Sequence, residues 1–171
     1  MSQPIQDTLR FALQTADGLY HRLVLLVGAS GTGKTSVLRA IAEELDIPVI
    51  NVNLALSAGL LELTAKQRTL HLPELLNNTV AEGQSPVVLD NIEILFDTAL
   101  QQDPLRLLQG LSRNRTVLAS WNGSLHKGKL LYAEPGHPEY RSYEIGETVI
   151  VNMDGTTTLQ MTQEMIGAGL V

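Results

Sequence analysis

Gly28-Ala29-Ser30-Gly31-Thr32-Gly33-Lys34-Thr35 decides the fold, set between Leu23-Val24-Leu25-Leu26-Val27 and Ser36-Val37-Leu38-Arg39-Ala40-Ile41-Ala42-Glu43-Glu44-Leu45. An apolar strand enters, a glycine-rich loop follows, and an amphipathic helix leaves. The spacing G-x-x-x-x-G-K-[ST] in that context is a phosphate-binding loop. Glycine reaches backbone dihedrals closed to other residues, so loop N–H groups can crowd around a phosphate. The helix N-terminus adds unsatisfied donors and the positive end of its dipole. The predicted cradle is Gly28, Ala29, Ser30, Gly31, Thr32, Gly33, Lys34, Thr35 and Ser36. Lys34 would reach the β- and γ-phosphates and the Thr35 hydroxyl would hold Mg²⁺.

Working outward, the 171 residues carry a net charge of −6, which argues against tight, standalone, sequence-independent binding to nucleic acid. Only 4% are aromatic, so aliphatic side chains must supply most of the core. The absence of cysteine removes disulfides and thiolate metal sites and is compatible with a reducing cytoplasm, the expected compartment. Met1 to Gly18 has no signal-peptide pattern, and no apolar run approaches a membrane span, so no membrane partner is expected.

Before the loop, apolar residues at 5, 9, 12, 13 and 16 have helical spacing, with Pro4 at the first turn and Gly18 past the end. After it, Pro48 to Asn53 predicts a second strand and closes a right-handed βαβ unit. Residues 54–83 predict helix, broken near Thr69 to Pro73 and restarted by Pro73, with Gly83 closing it. One domain is expected: an N-terminal helix in 1–20, a nucleotide-binding core over 22–122, and a C-terminal loop and hairpin region over 123–171.

Ser85-Pro86-Val87-Val88-Leu89-Asp90 is an apolar strand with an aspartate at its C-terminal tip. In a parallel α/β sheet that edge binds ligands, so Asp90 would hold the Mg²⁺ shell beside the loop. A helix then runs from about Asp97 to Leu111, and Thr116 to Ser120 forms the next strand. It ends at Trp121-Asn122-Gly123, where Asn122 either senses the γ-phosphate or belongs to an Asn-Gly turn. Between Arg113 and Arg141, Arg113, Arg115, Lys127, Lys129 and Arg141 face only Glu134 and Glu139, as a solvated face or as a contact surface for phosphates, nucleic acid or a partner. Lys129 to Ala133 and Tyr143 to Asn152 read as strands, and Asp154-Gly155 signals a hairpin into Thr157 to Met161. Residues 162–171 read as a helical turn or frayed tail.

Strand–loop–helix, then strand–Asp, then strand–Asn resembles the additional-strand, AAA-like division of the P-loop NTPases. Leu89-Asp90-Asn91-Ile92-Glu93 matches that group's L-D-E-I-D Walker B region, and Val117 to Asn122 matches its sensor strand. Nearly the whole chain resembles the BrxF family, small P-loop proteins of type 3 BREX bacteriophage-defence systems. That likeness rests on Asp90 to Phe96, Ser112 to Arg115, Trp121-Asn122-Gly123 and Tyr132 to Arg141. The resemblance implies an α/β P-loop NTPase fold of three layers with a mainly parallel sheet and a C-terminal hairpin. It implies ATP and Mg²⁺ as ligands, with Thr35 and Asp90 on the metal. It also implies service as a homo-oligomer with other BREX proteins, meeting DNA directly or through the complex.

One position departs from the pattern. Asn91 stands where a glutamate normally polarises the attacking water, and an amide is no general base near neutral pH. Hydrolysis would then be weak or partner-dependent, with Glu93 or Asn91 positioning water and Arg113, Arg115 or Arg141 acting across a subunit interface. Alternatively, ATP is bound without turnover and gates assembly.

Overall fold

The computed structural model describes residues 3–158. Helix α1 (Gln3–Ala16) precedes β1 (Leu23–Gly28), α2 (Lys34–Leu45), β2 (Val49–Asn51), α3 (Val52–Leu61), α4 (Ala65–Asn78) and β3 (Val87–Asp90). Short 3₁₀ turns at Glu93–Phe96 and Thr98–Leu100 lead to α5 (Pro104–Leu111). Then come β4 (Val117–His126), β5 (Lys129–Tyr132), β6 (Arg141–Glu144), β7 (Val149–Asn152) and β8 (Thr157–Thr158).

The sheet order is β2-β3-β4-β1-β7-β8, parallel through β7, with β8 antiparallel at the edge. Strand β4 lies between β1 and β3, as the additional-strand pattern requires. Successive side chains of a strand face opposite sides. Leu23, Leu25 and Val27 of β1 therefore join α3, α4 and α5 in one core, while Val24 and Leu26 join α1 and α2 in the other. With both faces covered, β1 is apolar without alternation. The result is the three-layer α/β fold with a mainly parallel sheet.

Three local expectations change. The break near Thr69 to Pro73 does not occur. Helix α4 starts at Thr64, whose hydroxyl accepts the Gln67 N–H at 3.2 Å while the Gln67 side chain accepts the Thr64 N–H at 2.9 Å, a capping box. Pro73 lies inside α4. A proline there frees the carbonyl four residues earlier, and the Thr69 carbonyl accepts instead from the Gln102 side-chain amide at 2.7 Å. Secondly, Tyr143 to Asn152 is not one strand, because Gly146 in the left-handed region separates β6 from β7. Strand β7 lies beside β1 and so completes the central sheet from within the 123–171 region. Thirdly, Asn122-Gly123 is not a turn but lies inside the ten-residue β4. The turn comes at Lys127-Gly128, where φ is 51° and 76°. The β7–β8 hairpin forms at Asp154-Gly155, with Asp154 Oδ1 accepting the Thr156 N–H at 2.9 Å. Leu159 to Met161 and the tail of 162–171 fall outside the described residues. Among the described residues, no helix is long and apolar enough to cross a membrane.

Gly123 is where β5 presses on β4. A Cβ there would lie 1.8 Å from the Leu131 carbonyl oxygen. Gly123→Ala should lower stability by about 1–3 kcal/mol. Gly110→Ala, on open space in α5, should raise it by up to about 1 kcal/mol. Urea unfolding of the two variants against the parent checks both signs.

Candidate functional site

Parallel strands present their C-terminal ends together, so the loop after β1, Asp90 at the end of β3 and Asn122 on β4 meet at one edge. Gly28 is the register partner of Asn122, and Leu26 that of Ser120. Gly31 and Gly33 hold φ of 82° and 94°, a region that costs other residues strain, and Gly33 turns the chain into α2. Thr32 ties the loop to itself, its hydroxyl donating to the Ala29 carbonyl at 2.7 Å.

Lys34 is buried, and its ammonium donates to the Gly28 and Ala29 carbonyls at 2.8 and 2.7 Å. Burial lowers its pKa from the ordinary value, and the carboxylates of Asp90 and Glu93 oppose that shift. Asp90 is 5% exposed and fully engaged. Its Oδ2 accepts from the Thr35 hydroxyl at 2.7 Å, and its Oδ1 accepts from the Ser120 hydroxyl at 2.7 Å and the Asn91 N–H at 2.9 Å.

Asn91 adopts φ 52° and ends the strand. The chain turns, and Glu93 returns toward the site from the first residue of a 3₁₀ turn. Its Oε1 accepts from Asn122 Nδ2 at 2.7 Å and its Oε2 from Asn53 Nδ2 at 3.3 Å. The Asn53 side-chain oxygen accepts the Ile94 N–H at 2.8 Å, and the Asn53 N–H donates to the Asn91 carbonyl at 2.9 Å. A cleft of about 330 Å³ runs along Ser30 to Ser36 and meets Asp90, Asn91, Glu93 and Asn122.

Lys34, Thr35, Asp90, Asn91, Glu93 and Asn122 are thus brought together. The arginines are not. Arg113 and Arg115 precede β4, whose first residue pairs with the first of β1, so they sit at the opposite edge of the sheet. Six residues of β1 separate that edge from the loop, roughly 20 Å of strand. The Arg113 guanidinium lies 5.4 Å over the Tyr20 ring. Arg141 starts β6 and donates to the Gln102 carbonyl at 3.3 Å. The basic excess of 113–141 is therefore no single surface, since Lys127 and Lys129 sit at the β4–β5 turn instead.

Three contributors were not foreseen from sequence. Ser120 on β4 and Asn53 at the start of α3 take their roles only in the folded register, where Ser120 meets Asp90 and Asn53 meets the turn that follows it. Met153 follows β7 and donates its N–H to the Val27 carbonyl at 3.0 Å, against the start of the loop.

The sequence profile of the ATPase family associated with various cellular activities (AAA) matches residues 24–118. The chain belongs to the AAA family. The match spans β1 through the start of β4 and so contains the loop, Asp90 and Glu93, while Asn122 lies just past its end. No curated protein and no solved structure matches the chain.

Ser120→Ala removes one of the three donors that meet the buried Asp90 carboxylate. It should cost about 1.5–3 kcal/mol of stability, the range for a hydrogen bond to a charged group. Ser120→Thr, which keeps the hydroxyl, should lose less. Urea titration of both variants is the check.

Proposed function

We propose that the chain is a Mg²⁺-dependent ATP-binding protein that hydrolyses ATP within a phage-defence complex of the BREX type. The supporting observation is the convergence of Lys34, Thr35, Asp90, Glu93 and Asn122 at one sheet edge around an open helix N-terminus. The donor set fits the ligands. A glycine loop at a helix start suits phosphate, and a hydroxyl oxygen 2.7 Å from a carboxylate suits a hard cation that keeps waters. Thr35 and Asp90 would hold Mg²⁺, which when bound neutralises charge on the triphosphate. Lys34 exchanges its loop carbonyls for phosphate oxygens. Glu93 takes the proton of the attacking water, the role Asn91 cannot fill, and Asn122 holds Glu93 in place and contacts the γ-phosphate.

Placement in a BREX complex, as a homo-oligomer reaching DNA through its partners, draws on the likeness to the BrxF family. Arg113, Arg115 and Arg141 contribute in this reading only from a neighbouring subunit. A second reading, nucleotide-gated assembly without turnover, is favoured by one observation. Both carboxylate oxygens of Glu93 are already engaged by asparagine amides.

Equilibrium dialysis with ATP and Mg²⁺ should show retention by the parent and none by Lys34→Ala, and equal retention would remove both readings. Glu93→Gln should keep binding and lose turnover by about 10²–10⁴-fold, the usual contribution of a general base. Phosphate release at background in the parent alone, with DNA and with BREX partners would leave the gated-assembly reading.

A further inference from the structure

Polar side-chain atoms buried without a partner are uncommon, and each asks for an explanation. Among the described residues there are five, and four of them lie at the edge of the sheet opposite the nucleotide cleft. They are Gln84 Nε2 just before β3, Arg115 Nη1 just before β4, and Glu147 Oε2 and Thr148 Oγ1 just before β7. Leu23 of β1 pairs with Val117 of β4, and Val24 of β1 pairs with Val149 of β7. Arg115 and Glu147 therefore flank the start of β1 on either side, two strand spacings or about 10 Å apart.

These two carry opposite charge, and among the described residues neither side chain makes a hydrogen bond or an ion pair. Their neighbours on the edge do not supply one. Arg22 is taken by Asp17 at 3.5 Å, and the Arg113 guanidinium lies over the exposed Tyr20 ring. His21 feels the Glu147 carboxylate, but burial is the larger influence and lowers the His21 pKa, so the imidazole is uncharged at neutral pH. A charge held partly out of water without a partner is costly. Both residues are only half-buried, so each head group can turn outward to find one.

We propose that this edge docks a second copy of the chain end to end, with Arg115 of each copy meeting Glu147 of the other. A two-fold axis running between the two side chains, across the strand starts, exchanges them, so one contact satisfies both charges twice. A bound anion would answer Arg115 and Gln84 but repel Glu147, and a bound cation would do the reverse. A surface carrying both signs at the same spacing answers all of them, and the edge itself is such a surface. Tyr20 and Arg113, between the two charges, are of the residue types that concentrate binding energy in interfaces. The contact is closed and leaves the nucleotide clefts of both copies facing outward. It assigns Arg115 to this pairing rather than to a neighbour's phosphates, and it does not rest on the nucleotide reading.

The test is sedimentation velocity of the nucleotide-free chain over roughly 1–100 μM, at low and raised salt. The expected result is a reversible monomer–dimer equilibrium that weakens as salt screens the pairs. Arg115→Glu and Glu147→Arg should each weaken it at least about tenfold, because each sets like charges against one another twice. An equimolar mixture of the two variants should form a mixed dimer about as tight as the parent's, since every facing pair is then opposite again. Rescue between chains cannot come from a pair within one chain. Lys66→Glu, at the exposed start of α4, should leave association unchanged. A monomeric parent, which would leave the edge to another protein, overturns the proposal, as does a dimer that both variants keep or a mixture of folded variants that stays monomeric. Should a charge reversal unfold the chain, Arg115→Gln and Glu147→Gln must still each weaken the dimer, and a dimer unmoved by both overturns it too. Lys34→Ala should dimerise like the parent while losing ATP, so this inference and the nucleotide reading fail separately.

Discussion

A buried carboxylate is tolerated only where donors meet it, and Asp90 is met by three. One is the hydroxyl at the start of α2, one is on β4, and one is the amide of the following residue. Those contacts fix more than the charge. Ser120 reaches Asp90 because β4 is the neighbour of β3, with Ala119 paired to Leu89. Thr35 reaches it because the loop after β1 ends in a helix above the same edge. Insertion of β4 between β1 and β3 is thus a condition for Asp90 to be both buried and satisfied, and the loop's distance from the acid follows from it.

The chain after Asp90 explains why the acid expected at 91 stands at 93. Asn91 occupies the left-handed region, which asparagine tolerates far better than most side chains. Its identity therefore serves the backbone. The turn it makes sends residues 93–96 into a 3₁₀ turn, and the Glu93 side chain comes back to Asn122 and Asn53. In a continued strand, residues 91 and 93 would share a face but stand about 7 Å apart. The turn brings the later residue back to the site's mouth. Asn53 holds it there by bonding the Asn91 carbonyl, the Ile94 amide and the carboxylate itself.

Much of this was legible in the chain. The loop, its flanking strand and helix, the strand ending on Asp90 and the strand reaching Asn122 are carried by local spacing, which survives without knowledge of neighbours. What was hidden depends on partners distant in sequence. Pro73 signals a helix start by itself, and only Gln102 makes it acceptable inside α4. The capping box at Thr64 starts α4 well before that proline. Asn122-Gly123 has the composition of a turn, yet Gly123 is required by close approach of the Leu131 carbonyl within a strand. Ser120 lies inside the sensor-strand match without a role of its own there and Asn53 has no motif, and their roles exist only once β3, β4 and the start of α3 are side by side.

The scarce aromatic residues show how the segment after the sensor strand is tied to the site. Four of the chain's seven gather at its root. Phe96 stacks on Tyr132 with centroids 3.4 Å apart, and Trp121 meets Phe96, Tyr132 and Tyr143 edge-on. The Trp121 indole N–H also donates to the Leu131 carbonyl at 3.0 Å. Phe96 is on the same short turn as Glu93, and Trp121 adjoins Asn122. Close-packed side chains transmit displacement because they have no free volume in which to absorb it. The ring cluster thus joins the segment after the sensor strand both to the turn that carries Glu93 and to the strand that carries Asn122, the two residues whose hydrogen bond closes the site.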